Sequence, residues 1–181
     1  MNTVPVLWKR RHFFMRNGRI YLKTKIADIG RRQTVRIANM VFRWCRRNLG
    51  VNGRKKWQPV WYIRKGSSEN EMGEYDATDN ELYIYWDNIP DVRELIRTIV
   101  HEWTHQNQPI LTKYHKCQCS YSQNPYEREA RRAELKWTPV IWQELNDKIN
   151  KNTSYGTTVN SRPDSGRIRS SNRIPDHYNR D

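Results

Sequence analysis

His101-Glu102-Trp103-Thr104-His105 is an HExxH string. Residues four apart on a helix share one face, so both imidazoles can reach a single ion. Zinc accepts neutral imidazole nitrogen and prefers tetrahedral coordination, so two further ligands are needed. Glu102, beside the ion, can take a proton from a water whose pKa the metal lowers, and the hydroxide can attack a polarised carbonyl.

The third protein ligand must come from another element. Glu127, Glu129 and Glu134 all lie downstream of Asn124-Pro125, an N-cap residue followed by a first-turn proline. Glu127 and Glu129 are two apart on that helix and point in different directions, so only one of them can bind, whereas Glu127 and Glu134 share a side. A rival donor is His115, ten residues after His105. Cys117 and Cys119 form a C-x-C unit with no second pair, which suits loop thiols better than a structural zinc.

The elements that must position these groups are legible in outline. Asp91 is an N-cap candidate with Glu94 three residues on, as in a capping box. Val92, Leu95, Ile96, Ile99, Val100 and Trp103 then recur at helical spacing. At about 100° per residue, His101 and His105 fall roughly 160–220° from that apolar stripe, so the helix can bury one side and present both histidines on the other. A second helix is expected over residues 31–49, with Val35, Ala38, Val41, Phe42, Cys45 and Leu49 on its apolar face. Gly50 follows it, and Arg32, Arg36, Arg43, Arg46 and Arg47 occupy its opposite face. Residues 57–64 and 81–87 are aromatic and β-branched, as strands are, and Tyr75 suits a third short strand. Asn17-Gly18 is a turn dipeptide that suits a hairpin within residues 1–28. The helix opened at Pro125 should run to about Trp137, where Pro139 breaks or restarts it, and Val140, Ile141, Leu145 and Ile149 continue an apolar stripe.

Three segments follow: a basic N-terminal segment, 1–28, a domain over 29–150, and a basic tail, 151–181, whose composition predicts disorder. The expected fold class is α+β, a small antiparallel or mixed sheet packed against an N-terminal helix, the HExxH helix and the glutamate-bearing C-terminal helix. The chain has 181 residues and a net charge of +14, unevenly spread. Residues 1–65 hold 18 basic and 1 acidic residue, and residues 66–150 hold 9 basic and 15 acidic. A basic third of this kind suits nucleic acid or another anionic partner. Aromatics make up 12%, enough large rings to fill a core. No run of 18 apolar residues exists to span a membrane, and Met1 to Arg19 lacks the apolar stretch of a secretory signal. Three cysteines cannot make a disulfide framework, which fits a reducing compartment such as the cytoplasm.

Over residues 73–137 the sequence resembles the gluzincin-type zinc metallopeptidases. The resemblance rests on Gly73-x-Tyr75, the strand Glu81–Asp87, the HExxH helix, and Asn124-Pro125-Tyr126-Glu127-Arg128-Glu129-Ala130. Such families follow HExxH with a helix bearing E-x-x-A or E-x-E-A, and its first Glu is the third zinc ligand. Matched residue by residue, this implies Glu127 as the ligand, with Ala130 three positions later. Those families usually have Asp or Asn next, where this chain has Arg131. HEWTHQ followed by NPYEREAR is also similar to small metallopeptidase-like proteins of phages and large viruses, which implies a host-cytoplasmic location. The resemblance implies Zn2+ as cofactor, a protein or peptide substrate, and cleavage with Glu102 as general base. It further implies that the strand before the active-site helix forms the cleft edge, with Tyr83 and Tyr85 beside the substrate. Tyr114, Tyr121 and Tyr126 are candidates for oxyanion stabilisation. SprT-like proteases, which use a third histidine after HExxH and act on DNA-bound proteins, are the second resemblance, through His115. The metzincin pattern is excluded, because Leu111 stands where it needs histidine.

Overall fold

The computed structural model describes residues 18–55, 57–66, 71–109 and 123–151. In chain order these form α1 (Ile26–Asn48), β1 (Val60–Arg64), β2 (Gly73–Asp76), β3 (Glu81–Tyr85), α2 (Val92–Asn107) and α3 (Pro125–Lys151). The strands make a mixed sheet of order β1-β3-β2, with β1 parallel and β2 antiparallel to β3. The architecture is α+β, and none of the described helices is long and apolar enough to cross a membrane.

Alternation along the strands assigns their faces. Leu82 and Ile84 of β3 are fully buried, and their register partners Trp61, Ile63, Gly73 and Tyr75 lie on the same side. That side meets the helices. Phe42 of α1 stacks on Trp61 at 5.0 Å between ring centroids, and Trp103 of α2 closes on both rings at 6.2 and 6.3 Å. The Trp103 indole nitrogen donates to the Gly50 carbonyl at 3.0 Å, so the ring is buried with its polar handle satisfied.

The expected helix over 31–49 is the main body of α1. Gly30, at φ 69° and ψ 172°, divides a preceding turn from it, a conformation that costs a glycine little. Cys45 is buried on the apolar face, and burial pushes its thiol pKa well up, as expected of an inert small hydrophobe. Asp91 caps α2 as its sequence predicts, its Oδ1 accepting from the Glu94 amide at 3.0 Å. Glu94 does not return the bond; its carboxylate pairs with Arg97 at 2.9 Å.

Two expectations are corrected. Pro139 neither breaks nor restarts α3, which runs through it as one helix. The proline removes one backbone donor at a turn where Leu135 is 71% exposed and water can reach the freed carbonyl. Burial of Ala130, Ile141, Leu145 and Ile149 on either side holds the helix together. Second, β3 is not the edge of the sheet but its centre, paired on both sides. Its backbone is therefore spent on β1 and β2. Tyr83 and Tyr85 alternate with Leu82 and Ile84 and face away from α2, which removes them from the cleft. Tyr83 instead stacks on Tyr62 at 5.4 Å, with the Arg64 guanidinium 4.6 Å from each ring. Of the hairpin expected within residues 1–28, residues 1–17 lie outside the described residues, and residues 18–25 form turns and a single bridge from Lys25 to Asp91 rather than a strand before α1 begins. The tail from 152 onwards, His115, Cys117, Cys119, Tyr114 and Tyr121 also lie outside the described residues.

Candidate metal centre

Helix α2 buries two faces. Its apolar stripe packs on α1 and the sheet, while the histidine face meets the first half of α3 rather than open solvent. His105 is 8% exposed and Glu127, on the first turn of α3, 2%. The two imidazole Nε2 atoms are 3.0 Å apart. Glu127 offers one carboxylate oxygen to each, Oε2 at 3.3 Å from His101 Nε2 and Oε1 at 3.4 Å from His105 Nε2. Metal bonds of about 2.0–2.1 Å give a tetrahedral ligand-to-ligand edge of roughly 3.3–3.4 Å, which the two carboxylate-to-imidazole distances match and the 3.0 Å imidazole pair falls just short of, so the set suits a divalent metal ion. His101, His105 and Glu127 thus form a group able to hold a metal ion.

The outer partners explain why these nitrogens converge. His101 Nδ1 lies 2.6 Å from Glu134 Oε1, and an ionised carboxylate can only accept. His105 Nδ1 lies 2.8 Å from Gln108 Oε1. The Gln108 amide cannot be turned round, because its nitrogen donates to the Tyr126 carbonyl at 2.9 Å and to Glu129 Oε2 at 3.0 Å. When both Nδ1 atoms carry the proton, both Nε2 lone pairs face each other. Lone pairs 3.0 Å apart repel unless a cation or a proton lies between them. This is the arrangement by which outer hydrogen bonds fix the tautomer of metal-binding histidines.

The three glutamates of α3 are therefore sorted by geometry. Glu127 faces both imidazoles. Glu134, seven residues on and on the same stripe, orients His101. Glu129 points elsewhere and orients Gln108, which corrects its place as an alternative ligand. Arg97 holds Glu134 from behind, with Nε and Nη2 at 3.0 and 2.8 Å from Oε2, and is itself held by Glu94. Glu134 gives His101 an outer carboxylate, which Arg131 could not supply. Gln108 and Arg97 escaped the sequence reading. Gln108 is three residues after His105 but beyond the end of α2, where helical spacing no longer says which way a side chain points.

The electrostatics match this geometry. Burial opposes a charge on His101, but hydrogen bonds to Glu127 and Glu134 outweigh it and raise the imidazole to about 10. Burial lowers His105 from its ordinary value, partly offset by Gln108. The centre as a whole favours one positive charge, for which a metal ion and a proton compete. Burial pushes the Glu102 carboxyl up to about 7, and neighbouring Glu127 adds to the rise while His101 opposes it.

A cavity of about 500 Å³ opens beside His101 and Glu102, between Met72 and Gly73 at the sheet edge and Arg131 of α3. Among the described residues no strand pairs with the outer side of β2. Gly73 sets the width of this gap. A Cβ there would lie 2.7 Å from Thr98 Cγ2, 3.1 Å from Glu102 Cγ and 3.1 Å from the Tyr83 carbonyl. Gly73→Ala is expected to destabilise the fold by roughly 1–3 kcal/mol through overpacking and to displace Glu102. Urea unfolding checks the first effect. A second-site comparison with Asp76→Ala, farther along β2, separates displacement of Glu102 from general strand loss.

No protein-family model, curated protein or solved structure matches this chain, so the His101–His105–Glu127 centre is characterised by its own geometry.

Proposed function

We propose that the protein is a zinc-dependent peptidase that hydrolyses peptide bonds with an activated water. The observation that carries this reading is the pair of outer contacts, Glu134 to His101 and Gln108 to His105, which turn both Nε2 atoms towards Glu127. A surface histidine pair needs no such support. Three protein donors among the described residues, rather than four, fit a catalytic rather than a structural site.

When bound, zinc would act as a Lewis acid, lowering the pKa of water and polarising the substrate carbonyl. His101, His105 and Glu127 would hold it. Glu102 accepts the proton of the attacking water and delivers it to the amide nitrogen as the C–N bond breaks. In the metal-free centre burial raises its carboxyl, the direction a group must move to give the proton back near neutrality. Met72 and Gly73 border the cavity beside Glu102, and an extended peptide adds to the sheet along β2, not β3.

The test is cleavage of an unfolded protein substrate by the full chain. Turnover is expected to stop with a chelator and return with added zinc. Glu102→Gln should keep its zinc and lose at least about a hundredfold in kcat, the usual contribution of a general base. Zinc binding with no cleavage of any unfolded substrate, or full activity in Glu102→Gln, would overturn the reading.

A further inference from the structure

The outer face of α1 carries a charge that nothing in the metal centre uses. Arg32, Arg43, Arg46 and Arg47 are exposed, and the helix from Ile26 to Asn48 contains no lysine. At 100° per residue these four lie within a stripe of roughly 100°, opposite the buried Ile37, Ala38, Val41 and Cys45. None of the four forms an ion pair with a described residue, although β2 and β3 carry acidic side chains. The face therefore does not serve to neutralise the acidic part of the fold. From Arg32 to Arg47 it spans about 22 Å of helix axis, long enough to meet several phosphates of one strand.

The segment before β1 is tied to one end of this stripe. Arg46 Nη2 donates to Gln58 Oε1 at 3.3 Å, which ties the last turn of α1 to the segment leading into β1. In that segment Trp57 is 60% exposed, while its backbone is pinned by the Asn80 amide donating to its carbonyl at 2.6 Å. An exposed ring in a segment tied to the last turn of α1 can stack on a base whose neighbouring phosphates the arginines hold. Guanidinium forks bind phosphate oxygens in pairs, which lysine cannot do.

We infer that the outer face of α1, through Arg32, Arg43, Arg46 and Arg47, binds the phosphate backbone of single-stranded nucleic acid, with Trp57 stacking on an unpaired base. An acidic protein would match the charge but has no bases to stack on the exposed Trp57 ring. Because this face is turned away from α2, a bound strand leaves the metal centre accessible, and the inference does not depend on peptidase activity.

The test uses the full chain and fluorescence anisotropy with a labelled oligothymidylate, a duplex of the same length, and polyglutamate as competitor. The single strand is expected to bind most tightly, with affinity falling linearly in log salt. R32A/R43A/R46A/R47A should lose more than tenfold and show a shallower salt slope. The matching lysine variant should lose less than the alanine variant but not recover fully. Trp57→Ala should lose about fivefold on the single strand and little on the duplex. A variant with Arg162, Arg167, Arg169 and Arg173 changed to alanine removes equal charge and should bind as the parent does. Loss in that variant with retention in the helix variant would overturn the inference. So would tighter duplex binding insensitive to Trp57→Ala, or displacement by polyglutamate as effective as by nucleic acid. Thermal unfolding of each variant confirms that the substitutions leave the fold intact.

Discussion

Glu127→Ala is expected to lose zinc under conditions where Glu129→Ala keeps it and Glu134→Ala is intermediate. The order follows from what each carboxylate touches. Glu127 is the only one of the three whose oxygens approach both Nε2 atoms, at 3.3 and 3.4 Å. Glu134 reaches the other nitrogen of His101, and removing an outer partner of this kind typically costs about 10–100-fold in affinity. It also leaves Arg97, which gives Glu134 two of its nitrogens, with Glu94 as its remaining carboxylate partner. Glu129 acts two bonds away, through Gln108, whose amide keeps the Tyr126 carbonyl as an acceptor when Glu129 is gone. Its loss should cost less than about tenfold, and the loss of Glu127 should exceed that of Glu134. Zinc competition titrations on the three variants, beside His105→Ala, measure the order directly. A larger effect at Glu129 than at Glu127 would move the ligand. Retention of zinc in all three would place the third donor in residues 110–122, where His115 lies.

The second large effect is on stability. Trp103→Ala should destabilise the fold by about 3–5 kcal/mol, the cost of deleting a large buried side chain. Trp103 is fully buried, meets Phe42 and Trp61, and donates to Gly50. It thereby joins α1, the sheet and α2 at one point. Trp103→Phe keeps most of the packing and leaves the Gly50 carbonyl without its indole donor, so a smaller loss of about 1–3 kcal/mol is expected. Leu135→Ala, on an exposed turn of α3, should stay within about 0.5 kcal/mol. Urea unfolding should be run with a chelator present, because metal that binds only the folded state would mask part of each difference. An effect at Leu135 as large as that at Trp103 would contradict the packing described.

Much of the candidate site could be read from the sequence because it is local. That His101 and His105 share a face follows from helical spacing alone, and their place away from Val92, Ile99 and Trp103 follows from the same periodicity. The Asp91 cap, the main body of α1, the three strands and the start of α3 at Pro125 are likewise set by residues within a few positions of one another. What the sequence left open is non-local. It offered Glu127, Glu129 and Glu134 on one helix, but which of them meets the histidines depends on how α3 crosses α2. It placed Tyr83 and Tyr85 on a strand, but strand order is a matter of pairing between segments, and the pairing puts β3 in the middle. It marked Pro139 as a break, since the lost hydrogen bond is local, whereas the burial of Ile141 and Leu145 that outweighs it is not. Gln108 shows the division most plainly. Its neighbours in sequence say only that α2 is ending, and its role exists because His105, Tyr126 and Glu129 converge on one amide. Periodicity determines which side chains share a face; only the docking of the faces decides which atoms meet.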